Sequence, residues 1–113
     1  MDMDVNKLDG GQTCIRLNGR LDAPGADHVG VRFTAAAVAG GHDTIVDLSG
    51  VSFLGSMGIR LLISSARALH AKHAKLVLFG AKEFVQDVLD QSALGQIMPV
   101  VTTEQQAIEQ LGA

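Results

Sequence analysis

Between Thr44 and Leu62 the chain reads TIVDLSGVSFLGSMGIRLL, and its hydrophobic period changes partway. TIVDL is an almost unbroken apolar run, the pattern of a central strand covered on both faces. SGVSFLG, broken by serines and glycines, reads as a loop. Beyond it Ile59, Leu62, Ile63, Ala66 and Leu69 recur at i, i+3, i+4, i+7 and i+10, the stripe of an amphipathic helix. Arg60, Ser64 and Arg67 fall off that stripe, and His70, Lys72 and His73 gather at the negative C-terminal end. A buried strand therefore feeds a helix through a serine, Ser56, next to Gly55. That is the unit from which α/β folds are built.

Working outward, the segments upstream form a pair. Met3, Val5 and Leu8 alternate loosely, LDGGQ supplies a hairpin turn, and TCIRL places Thr13, Ile15 and Leu17 on one face and Cys14 and Arg16 on the other. Asp22 is then an N-cap with Pro24 in the first helical turn. Val29, Phe33, Ala36 and Ala37 follow at helical spacing until Gly40-Gly41, although Gly25 and Gly30 weaken this helix. Downstream, KLVLF is a buried strand closed by Gly80. KEFVQDVLDQSAL is an amphipathic helix carrying Phe84, Val85, Val88 and Leu89. IMPVV is a strand that Pro99 assigns to a sheet edge, and TTEQQAIEQL is a helix with a threonine cap. The expected order is β-β-α-β-α-β-α-β-α: one α/β domain over residues 1–113, with a mixed five-stranded sheet, an N-terminal β-hairpin and four helices.

Composition narrows the function. Hydrophobic residues make up 47% of the 113, enough for one sizeable core. The net charge of −3 provides no basic field for nucleic acid or anionic lipid. Trp and Tyr are absent and each of the four Phe lies in an apolar run, so base stacking is not expected. The lone Cys14 reads as an inert buried thiol. The N-terminal acids do not resemble a signal peptide, and no segment reaches the roughly 20 apolar residues of a membrane span, so no membrane insertion and a cytoplasmic location are expected.

Candidate chemistry is sparse. No nucleophile–base pair is legible, so an enzyme is not expected. His70 and His73, three apart on one helix, are an incomplete metal set. GRLDAPGADHVG lacks the lysine of a phosphate-binding loop and the context of a dinucleotide site, so no cofactor is expected. Ser56 has two readings. It caps its helix, or its hydroxyl, left open by Gly55 and Gly58, is displayed beside Met57 and Leu61 as a docking surface.

Residues 45–62, with IRLNGRLDAPGA and VQDVLDQSALGQIMPV, resemble STAS domains, in particular bacterial anti-sigma-factor antagonists. In that family a strand ending in Asp-Leu leads through an apolar turn to Asp-Ser-Ser/Thr-Gly and an apolar helix. Here Gly55 stands in place of the acid before the serine, and Met57 in place of the small hydroxyl residue after it. The resemblance implies that Ser56 is phosphorylated by a partner kinase and that Asp22, in the first turn, joins the partner-binding surface. Gly58 and Leu61 match positions near the serine; with Gly55 and Met57 they complete the expected surface. The implied role is partner switching. The unphosphorylated chain binds an anti-sigma factor of the serine-kinase type, phosphorylation ends the binding, and a serine phosphatase restores it. The alternative is a structural STAS subunit held constitutively on an ABC-type lipid-transport ATPase.

Overall fold

The computed structural model describes residues 1–112. Five strands lie side by side in chain order: β1 (Asp2–Lys7), β2 (Thr13–Leu21), β3 (Thr44–Leu54), β4 (Leu76–Phe79) and β5 (Val100–Val101). β1 and β2 are antiparallel and every later pairing is parallel, so the sheet is mixed, with the expected hairpin at one edge. The helices are α1 (Ala23–Thr34), α2 (Ser56–Ala71), α3 (Glu83–Gln91), α4 (Leu94–Ile97) and α5 (Glu104–Leu111). α1 runs on through a π-helical turn, Ala35–Ala39, before Gly40 and Gly41 end it.

The two faces of the sheet carry separate cores. Ile15, Leu17, Val46, Leu48 and Leu78 point toward α1, α2 and α3, where Phe33, Leu62, Leu69 and Leu89 bury against them. On the other face Cys14, Ile45, Val77 and Phe79 meet Ala107 and Leu111 of α5. The alternation read from TCIRL is thus realised, and β3 is covered on both sides, as the apolar run of TIVDL implies. Cys14 is fully buried, and burial raises its thiol pKa.

Four expectations are corrected. SGVSFL is not a loop: β3 continues through it to Leu54, alongside a β2 that extends to Leu21. Register explains why the alternation hid it. Arg16 faces Asp47 and Asn18 faces Gly50; then Gly19 faces Val51 and Arg20 faces Phe53. At each shift β3 carries one extra residue, so its inward positions fall at Leu48, Val51 and Leu54, three apart instead of two. Such bulges bend a strand and re-aim its side chains.

Helices number five among the described residues, not four. The added one, α4, begins where Leu94 N–H donates to Ser92 Oγ at 3.3 Å, and Leu94 anchors it in the core. It takes Ile97 out of the predicted IMPVV strand and shortens β5 to two residues. β5 is nevertheless an edge, and the Pro99 carbonyl accepts from Leu78 N–H at 3.0 Å. Phe84 is not core: it is 53% exposed. Last, Ser56 does not cap α2. Gly55 occupies the N-cap position with extended backbone, no side chain caps the helix, and Ser56 is its first residue.

Candidate functional site

The parallel strands β2 and β3 end together, and each hands the chain to a helix. Gly55 N–H donates to the Leu21 carbonyl at 3.0 Å, which ties the start of α2 to the end of β2. One residue after Leu21, Asp22 caps α1: its Oδ1 accepts from Gly25 N–H at 2.8 Å. Its Oδ2 accepts from Arg20 Nε at 3.2 Å. The Gly25 N–H, aided by the Arg20 guanidinium, holds the Asp22 carboxyl below the usual carboxylate range. Two helix N-termini therefore lie side by side at one corner of the molecule.

Ser56 is exposed at that corner, and its hydroxyl has no hydrogen-bond partner among the described residues. Met57 beside it is 42% exposed. One turn on, half-buried Leu61 lines a groove between α1 and α2 with Ala23, Ala26 and Met57. The groove widens past Gly30, Val31 and Val38 to about 630 Å³. Gly58 differs from its neighbours. It is buried, and a Cβ there would stand 2.6 Å from both the Leu21 carbonyl oxygen and Leu21 Cγ. Its part in the fold is to let α2 approach β2.

Sequence reasoning missed three residues here. Arg20 and Phe53 are cross-strand neighbours through the second bulge, and the Arg20 guanidinium carbon lies 4.4 Å from the centre of the Phe53 ring. Phe53 in turn stacks on Phe84 of α3, ring centres 5.9 Å apart and planes inclined by 25°. The Phe53 ring also lies against Gly55: a Cβ there would stand 3.0 Å from its Cε2, a tight contact that the ring would have to ease by a few tenths of an ångström. The signal available in sequence was Phe84 itself. Phe84, Val85, Val88 and Leu89 span a wider arc than one core-facing stripe, and only Val85 and Leu89 are buried.

Elsewhere the ionisable groups serve the frame. Arg16 donates to Asp47 at 2.6 Å and to Glu104 at 2.7 Å, tying the first turn of α5 to the sheet. No cluster of three or more His, Cys, Asp or Glu among the described residues could hold a metal ion. No helix among them is long and apolar enough to cross a membrane.

Comparison with known proteins agrees with this architecture. The STAS domain family is matched over residues 2–107. An anti-sigma F factor antagonist from Lysinibacillus sphaericus is 33% identical over 98 residues, covering 86% of this chain and 83% of the relative. An anti-sigma-factor antagonist (STAS) domain protein from Planctomyces limnophilus superposes with a TM-score of 0.85 at 22% identity, over the whole of both chains. The phosphorylated form of the Bacillus cell fate determinant SpoIIAA superposes with a TM-score of 0.70 at 24% identity, covering 96% of this chain and 98% of that one. With the strand order, the hairpin edge and the strand-to-helix turn at Ser56 already in place, these matches settle the family: the chain belongs to the STAS domain family.

Proposed function

We propose that the chain is an anti-sigma-factor antagonist of the partner-switching kind, with Ser56 as its switch. It binds an anti-sigma factor of the serine-kinase type while Ser56 is unmodified and releases it once Ser56 is phosphorylated; a serine phosphatase reverses the change. The observation that carries this reading is the Ser56 hydroxyl, exposed and unpaired at the first position of α2 between the caps Gly55 and Asp22 and the apolar side chains of Met57 and Leu61. The antagonist from Lysinibacillus sphaericus supplies the role by relationship, and SpoIIAA shows that a protein of this fold exists in a phosphorylated form.

The physical chemistry suits such a switch. Phosphorylation forms a bond from Ser56 Oγ to the γ-phosphorus of ATP, releases ADP and gives the hydroxyl proton to a base of the kinase. The product carries about −1.5 to −2 charges at neutral pH. On the free chain that charge sits in water beside a positive helix end. Under a partner it has to be desolvated against Met57 and Leu61, which opposes close contact. The chain itself needs no catalytic group; it acts by binding.

The test is phosphate transfer and binding with a purified anti-sigma factor kinase. The kinase and ATP should add one phosphate, at Ser56. Ser56→Ala should stay bound and Ser56→Asp should bind at least about tenfold more weakly. Equal binding by all three chains defeats the reading. Co-purification with a transport ATPase, unaltered by phosphatase treatment, would establish the constitutive subunit in its place.

A further inference from the structure

Only four aromatic residues occur in the chain, and two of them are spent outside the core. Phe33 and Phe79 are buried, whereas Phe53 is half-buried and Phe84 is more than half exposed. The exposed pair is organised. Phe84 stacks on Phe53, Arg20 lies over the Phe53 ring, and the edge of that ring lies close against Gly55, 3.0 Å from where a Cβ would stand. The strip therefore adjoins the residue before Ser56 without interruption. It runs from Arg20 of β2 across Phe53 of β3 to Phe84 of α3.

The charges say what would sit there. Arg20 commits its Nε to Asp22, but its two terminal nitrogens have no partner among the described residues. Arg60, one turn beyond Ser56, and Lys82, two residues before Phe84, are exposed too. Arg20, Arg60 and Lys82 are three of the nine Lys and Arg in a chain of net charge −3. Asp22 is already held by the Gly25 N–H and Arg20. Other exposed acids of these elements include Asp27 of α1, which lines the groove beside Arg60, and Glu83 and Asp87 of α3, so the cation set directly against the rings is Arg20. A complementary surface is apolar against the rings and sets a carboxylate on the free nitrogens of Arg20. Exposed aromatics and arginine are the residue types that most often carry interface affinity.

We infer that Arg20, Phe53 and Phe84 form a second contact patch for the partner that reads Ser56, an anti-sigma factor that sets an apolar side chain against the rings and a carboxylate on the free Arg20 nitrogens. The inference rests on the reading of Ser56 given above and adds to it: the serine switches the contact, and the aromatic strip selects the partner. Because the strip holds none of the groups that react, it acts on encounter and residence of the partner and leaves the transfer step alone.

The test titrates a purified anti-sigma factor of the serine-kinase type with wild type, Ser56→Asp, Phe84→Ser and Arg20→Gln. Phe84→Ser should bind at least about tenfold more weakly, the loss expected of an interface anchor. Arg20→Gln should weaken binding severalfold and flatten its dependence on salt. In the kinase assay Phe84→Ser should raise KM for the chain and leave kcat unchanged, the mark of lost uniform binding. Both variants alter exposed side chains, so their thermal midpoints should match wild type within a few degrees, which separates lost contact from lost fold. If Ser56→Asp loses binding while Phe84→Ser and Arg20→Gln bind as wild type does, the patch is wrong and the switch stands. If Ser56→Asp binds normally while Phe84→Ser does not, the patch stands and the switch is wrong. No binding by wild type overturns both.

Discussion

A methyl group at position 58 would meet the Leu21 carbonyl oxygen and Leu21 Cγ at 2.6 Å, and the carbonyl cannot swing aside because Gly55 N–H is bonded to it. Two effects compete in Gly58→Ala. Alanine gains about 1 kcal/mol of helix propensity over glycine, while forcing atoms into a filled space costs about 1–3 kcal/mol, with backbone as the obstacle here placing it at the upper end. The clash wins. Gly58→Ala is expected to lower stability by about 1–2 kcal/mol, read as a lower urea midpoint with unchanged slope. The start of α2 should shift away from β2, so partner binding should weaken as well. A variant as stable as wild type would mean that α2 does not rest on Leu21 as described. The glycine was visible in GSMG, but its reason was not, because the obstacle lies on a strand far away in sequence.

Between elements, the densest polar link joins β2, β3 and α5. Burial by itself would raise the pKa of Asp47. The Ser49 N–H and the Arg16 guanidinium outweigh it and hold the carboxyl below its ordinary value. A carboxyl depressed in the folded state contributes stability in full above its unfolded pKa, and the contribution fades as pH falls through the folded value. Asp47→Asn should therefore cost about 1–3 kcal/mol at pH 7, and the gap from wild type should close as pH is lowered from about 5 to about 2. Urea midpoints of both proteins at pH 7 and at the acid end check this; a gap that does not change with pH removes the ion pair from the account. The partners of Asp47 were only half legible. Alternation placed Arg16 and Cys14 on one face, and TTEQ marked a helix start. That Glu104 of that start would reach Arg16 depends on how α5 packs, which no local pattern encodes. The same limit applies to β3. Its first five residues alternate cleanly, while the two bulges move its inward residues to a spacing of three, so the segment that brings Phe53 to Arg20 looked like a loop. The order of the elements survived because glycines and changes of period mark their boundaries; the aromatic strip did not, because bulges and helix rotation create it.

For the molecule as a whole, the question is whether modification at Ser56 changes the surface or the fold. Domains of this size are stable by about 5–15 kcal/mol, so a switch acting through unfolding would need a large part of that. The geometry points the other way. Ser56 is exposed, α2 lacks a side-chain cap, and Arg60 stands at i+4 on the same helix. A phosphate there meets the positive end of the helix and a cation one turn away, each worth a few tenths of a kcal/mol to about 1 kcal/mol at an exposed site. The stoichiometrically phosphorylated chain should therefore melt at the same temperature as the unmodified chain or a few degrees higher, while its affinity for the partner falls at least about tenfold. Calorimetric melting of the two forms, with amide chemical shifts compared residue by residue, decides it. Shifts confined to the start of α2 and the turn at Asp22 are expected. A fall in the melting temperature, or shifts spread through β4 and α5, would show that the phosphate loosens the sheet and its helices, and that the switch works by disorder instead of by covering a contact.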